Sequence, residues 1–545
     1  MTHVSRSVVA VRDLHWLKQF TPLQGPLIVA LTYYLGAQAA FFIGTLSDQI
    51  FALFWPPNVI LFCALMFVPQ RRWWLYILAV FPAHVIAEHG VGMPVPQMLV
   101  AFVTNCMVAL LSAFAVRRFV GDPPWFGSFQ KATNYILITA GLSPGLSAFG
   151  GAFVPILGGG ALQDYWAFYA HWYLANALPN LTLGPVLLIW FSDGTKWTDW
   201  IPSRRYSEPL FMAVLLIVTC LAVAYFAGPF VHSRFLPALL LLPLPVVLWA
   251  AVRFGEKGAS GAILIVAICM TWRALRGTGS LATDGPDDGV LVAQIFLLGV
   301  SIPLLLLGAL VDELRRAERT MRHLAASILR VQDEERRRIA RDLHDSTGQN
   351  LIAATLIAGE MQKLMPASGE PLARKLDEML QASIREIRTV SYLLHPPLLD
   401  EAGLGLAVRE YVQGYVERSG IKVDLQIASD LDRLSGEVEL VLFRVVQEAL
   451  TNVARHSKSA TATIEIKRVK RSDREFVTLS VEDAGRGMGA KPGKRSLLRR
   501  QNGDGQARGV GLASMSERVR QVGGRIEIDS AVGRTIVAAV IPLNQ

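Results

Sequence analysis

The stretch Arg336–Asn350, RRRIARDLHDSTGQN, sets a histidine, His344, directly before an acid, Asp345, in a charged helical pattern. Zinc pairs on helices need a second ligand one turn on, and position i+4 from His344 is Gly348, so that site is excluded. An isolated histidine is otherwise an ordinary surface or core residue. The sharper alternative needs the two side chains to meet, although neighbours on a helix point about 100° apart. The carboxylate then holds one ring nitrogen protonated and leaves the other free as a nucleophile. Gln349 lies at i+4 from Asp345, on the same face.

The flanks favour the sharper reading. Upstream, Leu310, Leu314, Ala317, Met321, Leu324, Ile328 and Val331 recur at steps of four and three, a heptad seam. It predicts a parallel two-chain coil, against the alternative of one helix packed on its own domain. Downstream, the helix of His344 is expected to run to about Leu364 and a second from about Leu372 to Leu394, with Pro366 and Pro371 edging the turn. Such a hairpin is half of a four-helix bundle, completed in a homodimer. The text EERRRIARDLHDSTGQNL with SIREIRTVSYLLHPPLLDEAGLGLAV closely resembles the dimerisation and phosphoacceptor region of histidine kinases of the nitrate and hexose-phosphate sensor class. The resemblance implies that His344 is phosphorylated and that Asp345 assists proton removal. It also implies that Asp345 with Gln349 positions water to dephosphorylate a partner.

From about Leu404 the pattern becomes mixed α/β, with period-2 strands at KVDLQI, ATATIEIKRV, EFVTLSVED, RIEIDS and TIVAAVIPL. Three motifs stand at the joints. VVQEALTNVARHS spaces Glu448, Asn452 and His456 at steps of four on a predicted helix. VEDAGRGMG ends a strand at Asp483 and turns through Gly485 and Gly487; RGVGLASMSERV opens a helix after Gly509 and Gly511, where free N–H groups suit phosphate. Singly each glycine motif is an ordinary turn or helix start. In this order they resemble the ATP-binding fold shared by histidine kinases, gyrase and mismatch-repair ATPases. The resemblance implies that Asn452 ligates Mg²⁺, that Asp483 accepts from the adenine amino group, and that Gly485 and Gly487 lie close to the base. It places Gly509 and Gly511 beside the phosphates and Thr535 near Asp483; Glu448 is expected to be a catalytic residue of this site and His456 a nucleotide-binding one. The segment MGAKPGKRSLLRRQNGDGQAR reads as a lid, or as a solvated loop. In SAVGRTIV, Arg534 replaces the second of two glycines that the family often has there.

The chain has 545 residues, is 52% hydrophobic and only 18% charged, and changes character near Val311. Before that point long apolar runs predict ten bilayer spans, at about 26–44, 49–67, 73–92, 97–117, 134–157, 165–191, 209–230, 235–251, 258–272 and 289–311. Arg71/Arg72, Arg117/Arg118/Lys131, Lys196/Arg204/Arg205 and Arg253/Lys257 fall in alternate loops, which places the N-terminus and the charged half in the cytoplasm. Much of the basic charge of the first half sits in these loops, so the net charge of +9 is no argument for nucleic acid. The four cysteines lie in apolar runs and read as packing residues, and the first 20 residues show no cleavable leader. FWPPN (54–58), His84 with Glu88, and HWYLANALPN (171–180) put polar groups where hydrocarbon rejects them, as a binding site or as glue between helices. With hydropathy, the run from Phe54 to Glu88 resembles the MASE-type membrane sensor domain of bacterial signalling proteins.

The expected architecture is a cytoplasmic tail (1–25), a polytopic helical membrane sensor domain (26–311) and a coiled signalling helix (312–335). A dimerising histidine hairpin (336–400) and an α/β sandwich ATP-binding domain (404–545) follow. The expected activity is an ATP- and Mg²⁺-dependent sensor histidine kinase in the bacterial inner membrane. It would pass phosphate to a separate response regulator, and also dephosphorylate it, under an unknown stimulus. Two alternatives stay open: an ATPase of the same nucleotide fold using Glu448 to activate water, and a transporter with a regulatory kinase half.

Overall fold

The computed structural model describes residues 23–46, 54–121, 123, 125–192, 207–227, 241–275, 286–364, 369–394, 396–429, 431, 433–471, 474–487 and 510–543. Gly509, the expected lid, Lys196, Arg204, Arg205, Pro366, most of the expected N-terminal tail and parts of the second, seventh and eighth expected spans lie outside these residues. The chain forms two compact units, residues 1–318 and 319–545.

In the first unit the described elements are helical, because backbone amides in hydrocarbon must bond within their own segment. The order is α1 (Gln24–Leu46), α2 (Pro56–Phe67), α3 (Trp73–His89), α4 (Val95–Phe119), α5 (Phe129–Ile136), α6 (Ser143–Gly151), α7 (Phe153–Leu157), α8 (Tyr165–Ser192), α9 (Ser207–Ala227), α10 (Leu244–Leu275) and the start of α11 (Pro286–Asp342). Six helical stretches among the described residues are long and apolar enough to cross a bilayer, and Pro56–Phe67 and Ser207–Val223 are shorter apolar helices. The expected span 134–157 is broken into α5, a π-helical turn (Leu137–Leu142), α6 and α7. Helix α10 is bent back on itself. Gly255 has φ 62° and ψ −139°, and Leu244 and Val247 line the same small apolar cavity as Val266, Cys269 and Met270. In one straight helix Val247 and Cys269 would be about 33 Å apart. The element is therefore a hairpin of two helices meeting at Gly255.

Polar residues secure the ends of these helices. Arg117 donates to the carbonyls of Leu65, Met66 and Val68, which the end of α2 leaves without partners. The sequence Asp312–Arg316, on α11, grips two further breaks. Asp312 accepts from the Glu256 amide (2.8 Å) on one side of the Gly255 corner, and Arg315 donates to the Val252 and Arg253 carbonyls on the other. Glu313 accepts from the Phe129 amide at the start of α5 (2.8 Å), and Arg316 pairs with Glu256 (2.6 Å) and with the Gly127 carbonyl. The bonds to the Glu256 and Phe129 amides and to the Val252 and Arg253 carbonyls are charge-assisted bonds to groups that a helix terminus leaves unpaired.

In the second unit α11 continues to Asp342, and Met321, Leu324, Ile328 and Val331 of its heptad seam are exposed. A π-helical turn (Leu343–Gly348) leads into α12 (Gln349–Leu364), which pairs with α13 (Glu370–Leu394). A short α14 (Pro397–Ala402) leads to α15 (Leu404–Ser419) and a five-stranded sheet. The strands are β1 (Lys422–Ile427), β2 (Thr461–Arg471), β3 (Arg474–Asp483), β4 (Arg525–Ala531) and β5 (Arg534–Pro542), in the order β1-β2-β3-β5-β4. Only β1 and β2 are parallel. Alternate residues Ile464, Ile466, Val477, Leu479, Ala539 and Ile541 are buried, in one core with α15, α16 (Gly436–Asn452) and α17 (Val510–Gln521). The expected helical hairpin and α/β sandwich are present, within one to two residues at most element ends.

The Gly255 corner gives a direct test. A Cβ there would overlap the Asp312 carboxylate, and the positive φ disfavours any L side chain, whereas a Cβ at helical Gly299 meets nothing within 4 Å. Gly255→Ala is expected to lower stability in detergent by about 1–3 kcal/mol. Gly299→Ala should be neutral or stabilising by about 0.5 kcal/mol. Equal melting temperatures for the two variants would contradict the corner.

Candidate functional site

His344, Asp345 and Gln349 all fall at the π-helical turn or immediately after it, and all three are exposed. The turn packs against α12 and α13. Widening a helix to the i→i+5 pattern at one turn is unusual and recurs at functional positions. Among the described residues His344 has no hydrogen bond to Asp345, so its ring is open to an incoming group.

The other candidates meet at one end of the sheet. Asp483 ends β3, is buried, and accepts from the Gly485 amide (2.9 Å), which fixes one carboxylate oxygen. Thr535 of β5 is its direct cross-strand partner. A Cβ on Gly485 would overlap the Ser457 carbonyl, and one on Gly487 (φ 75°) the Ala531 carbonyl, so the DAG turn needs both glycines. Glu448 of α16 faces the first turn of α17, where a Cβ on Gly511 would strike its carboxylate. That turn offers backbone N–H groups with no intrahelical partner. Asn452 is the last α-helical residue of α16, and the chain continues as a second π-helical turn (Val453–Ser457). His456 is therefore not one regular α turn beyond Asn452. Its side chain is exposed and its carbonyl accepts from Arg486 Nε (2.9 Å).

Two residues absent from the sequence reading hold the turn in place. Ser459 Oγ accepts from the Ala484 amide (3.2 Å) and donates to the Thr461 carbonyl, and the Ser457 carbonyl accepts from the Arg486 amide (2.9 Å). The signal for them was the S-x-S spacing after the helix, since short hydroxyl residues bond to nearby backbone. Lys458 between them is the one described non-glycine residue with positive φ (59°). Arg534 forms a two-pronged ion pair with Glu482 (2.7 and 3.3 Å), so a cross-strand contact occupies the place of the second glycine.

The glycine-lined cradle, the buried Asp483 carboxylate, the free helix start and the Asn452/Glu448 oxygen donors suit an adenine nucleotide with a hard divalent cation.

The polar groups of the membrane unit are also brought together. Pro179 leaves the Ala175 carbonyl without its helical donor, and the Trp55 amide takes it (3.3 Å). Asn58 donates to Asn105 (2.8 Å) and Asn176 (2.6 Å), and all three are buried. His84, also buried, lies 3.3 Å from Glu88, 3.4 Å from the Tyr33 hydroxyl and 3.1 Å from the Met98 carbonyl. Asn180 bonds to the Thr139 carbonyl, and Asn58 Oδ1 and Trp55 Nε1 are buried without a partner.

Comparison with known proteins covers nearly the whole chain. Residues 26–315 match MASE1, 335–399 match "Histidine kinase", and 437–545 match "Histidine kinase-, DNA gyrase B-, and HSP90-like ATPase". The signal transduction histidine-protein kinase/phosphatase UhpB of Salmonella typhimurium is 29% identical over 433 residues, 77% of this chain and 74% of that protein. The sensor histidine kinase MctS of Rhizobium johnstonii is 31% identical over 234 residues, 42% of this chain and about half (48%) of that one. Among solved structures, the histidine kinase domain of the Erythrobacter litoralis EL346 blue-light activated kinase is similar at 20% identity and TM-score 0.22, covering 36% of this chain and 94% of that one.

If Ser459 ties the DAG turn to the sheet, Ser459→Ala should cost about 1–2 kcal/mol in urea unfolding of residues 404–545, since it orphans the Ala484 amide. Thr478, whose exposed hydroxyl makes one bond to the Lys467 carbonyl, serves as the control, and Thr478→Ala should change stability by less. An unchanged midpoint for Ser459→Ala would remove the tie.

Proposed function

Because the chain belongs to the MASE1 family and is a membrane sensor histidine kinase of the two-component type, we propose that it phosphorylates itself on His344 and passes the group to an aspartate of a separate response regulator. The observation that carries this reading is the pairing of an exposed histidine on its own π-helical turn with a glycine-lined nucleotide cradle in the same unit. The C-terminal domain binds ATP, which supplies the phosphoryl group. Asp483 and the two turn glycines hold the base, and the first turn of α17 faces the phosphates. Asn452, with Glu448 beside it, is the residue set that would hold Mg²⁺. Transfer of this kind is largely positioning and charge neutralisation, so the protein's part is to bring a free imidazole nitrogen into line. Asp345, one residue on and not bonded to the ring in this structure, is the residue that assists removal of its proton. Gln349 serves the reverse activity, orienting water against the regulator's phosphate. The chain acts as a homodimer through its exposed heptad and hairpin faces, crosses the inner membrane ten times, and carries its kinase half in the cytoplasm. The buried Asn58–Asn105–Asn176 and His84–Glu88 groups are the proposed point of stimulus action, since intramembrane polar groups are costly unless used.

Three substitutions separate these roles. His344→Gln should abolish labelling from γ-³²P-ATP with nucleotide binding intact; acid-labile label persisting in that variant would sink the assignment. Asp483→Ala should weaken ATP, ADP and adenosine alike, while Asn452→Ala should impair chiefly Mg²⁺-dependent binding and transfer. Identical defects in two folded variants would contradict the roles. Gln349→Ala should leave self-phosphorylation intact and slow loss of phosphate from the regulator. Equal loss of both would make Gln349 structural.

A further inference from the structure

Among the described residues, the ion pairs between the signalling helix and the ATP-binding helices α16 and α17 converge on one acid. Asp333 of α11 lies 3.2 Å from Arg444 Nε of α16 and pairs through its other oxygen with Arg518 of α17. The three side chains are 12%, 5% and 9% exposed, whereas the neighbouring Glu334 and Glu335 are in water. Burial pushes the Arg444 guanidinium down to about 10, with Arg336 adding to the push, and burial lowers Arg518 as well. Two desolvated cations therefore depend on one carboxylate. Removing one partner of such a group leaves an uncompensated buried charge, which is costly.

The other contacts at this place differ in kind. Arg444 and Gln447 also donate to the Leu394 and Leu393 carbonyls at the end of α13, and Arg337 and Arg433 bond to Asp400 of the linker. These sit where the domain is joined to the hairpin and act as a hinge. Arg337 is also a stem residue, but its pair with Asp400 is exposed and reaches only the linker, whereas Asp333 is the described stem residue paired with α16 and α17. Asp333 stands eleven residues before His344, so on an ideal helix the two share a face about 16 Å apart. The His344 turn packs on α12 and α13, and no hydrogen bond or ion pair joins it to α16 or α17 among the described residues.

We propose that Asp333 is a positioning residue for self-phosphorylation: through Arg444 and Arg518 it holds the ATP-binding domain against the stem in a resting pose, and phosphoryl transfer requires that grip to open. A stem rotation of about 30° would carry a carboxylate held roughly 5–6 Å from the helix axis through about 3 Å. That displacement breaks a 3.2 Å pair, so twist along α11 is the motion to which the grip responds. The inference rests on His344 as the phosphoacceptor.

The test uses the purified full chain in nanodiscs, γ-³²P-ATP, and nucleotide affinity measured separately. Asp333→Asn is expected to raise the initial rate of His344 labelling by roughly ten-fold with KM for ATP unchanged. Asp333→Glu, which keeps the charge, should stay near the wild-type rate. Arg444→Gln added to Asp333→Asn should give no further rise, because both open the same contact. Arg518→Gln breaks the grip from the opposite side and should reproduce the increase, which keeps the test available if Asp333→Asn is poorly folded. An unchanged or reduced rate in folded Asp333→Asn and Arg518→Gln, or a raised KM in place of a raised rate, overturns the proposal. A wild-type chain that never labels on His344 overturns the phosphoacceptor reading instead.

Discussion

One constraint organises the chain: a single helix, Pro286–Asp342, runs for 57 residues from apolar sequence to the π-helical turn that carries His344. A helix resists bending and twisting because every turn is closed by its own hydrogen bonds. Its sequence changes purpose along the way. Leu297, Leu304, Leu305 and Ala309 are buried in the membrane unit, Asp312–Arg316 grip that unit's helix breaks, and Met321, Leu324, Ile328 and Val331 of the heptad are exposed. Asp333 then meets the ATP-binding domain, and the π-helical turn with His344 follows. These are successive segments of one helix and the turn that follows it.

On the proposed function, that continuous helix is the route a signal would take. The polar groups gripping α11 are bound to the Gly255 corner and to the start of α5, so displacement of either is resisted by charged hydrogen bonds to α11. A stimulus acting on the membrane unit shifts output only to the extent that it binds the two states unequally. The buried amides of Asn58, Asn105 and Asn176, from α2, α4 and α8, are suited to such discrimination because they join three helices through side-chain bonds alone.

Much of this was legible in the sequence, for reasons particular to each part. Period-2 alternation from Lys422 onward located all five strands because each has one face in the core. The heptad and the proline-edged turn located the hairpin. Asp483, Gly485, Gly487 and Gly511 could be read because a turn and a helix start demand those residue types wherever they occur. Ser457 and Ser459 showed only an S-x-S spacing and Arg534 only a departure from a glycine, because their bonds to Arg486, Ala484 and Glu482 reach partners distant in sequence. The broken span at 134–157, the Gly255 corner and the π-helical turns were invisible for a related reason: hydropathy measures apolarity and says nothing of how backbone bonds are shared within a run. Asp333 looked like one more charge in QDEERRR, and only its burial distinguishes it from Glu334 and Glu335.

The central claim is chemical, that His344 is the residue phosphorylated. The most direct measurement is site mapping on the full chain after incubation with Mg²⁺-ATP, by trypsin digestion and fragmentation mass spectrometry at neutral to basic pH. The tryptic peptide 342–363 contains His344 together with Ser346 and Thr347, so the fragments decide among them. The account predicts one phosphate on His344, lost in acid and stable in base. An acid-stable phosphate on Ser346 or Thr347, or phosphate elsewhere with His344 unmodified, would contradict it.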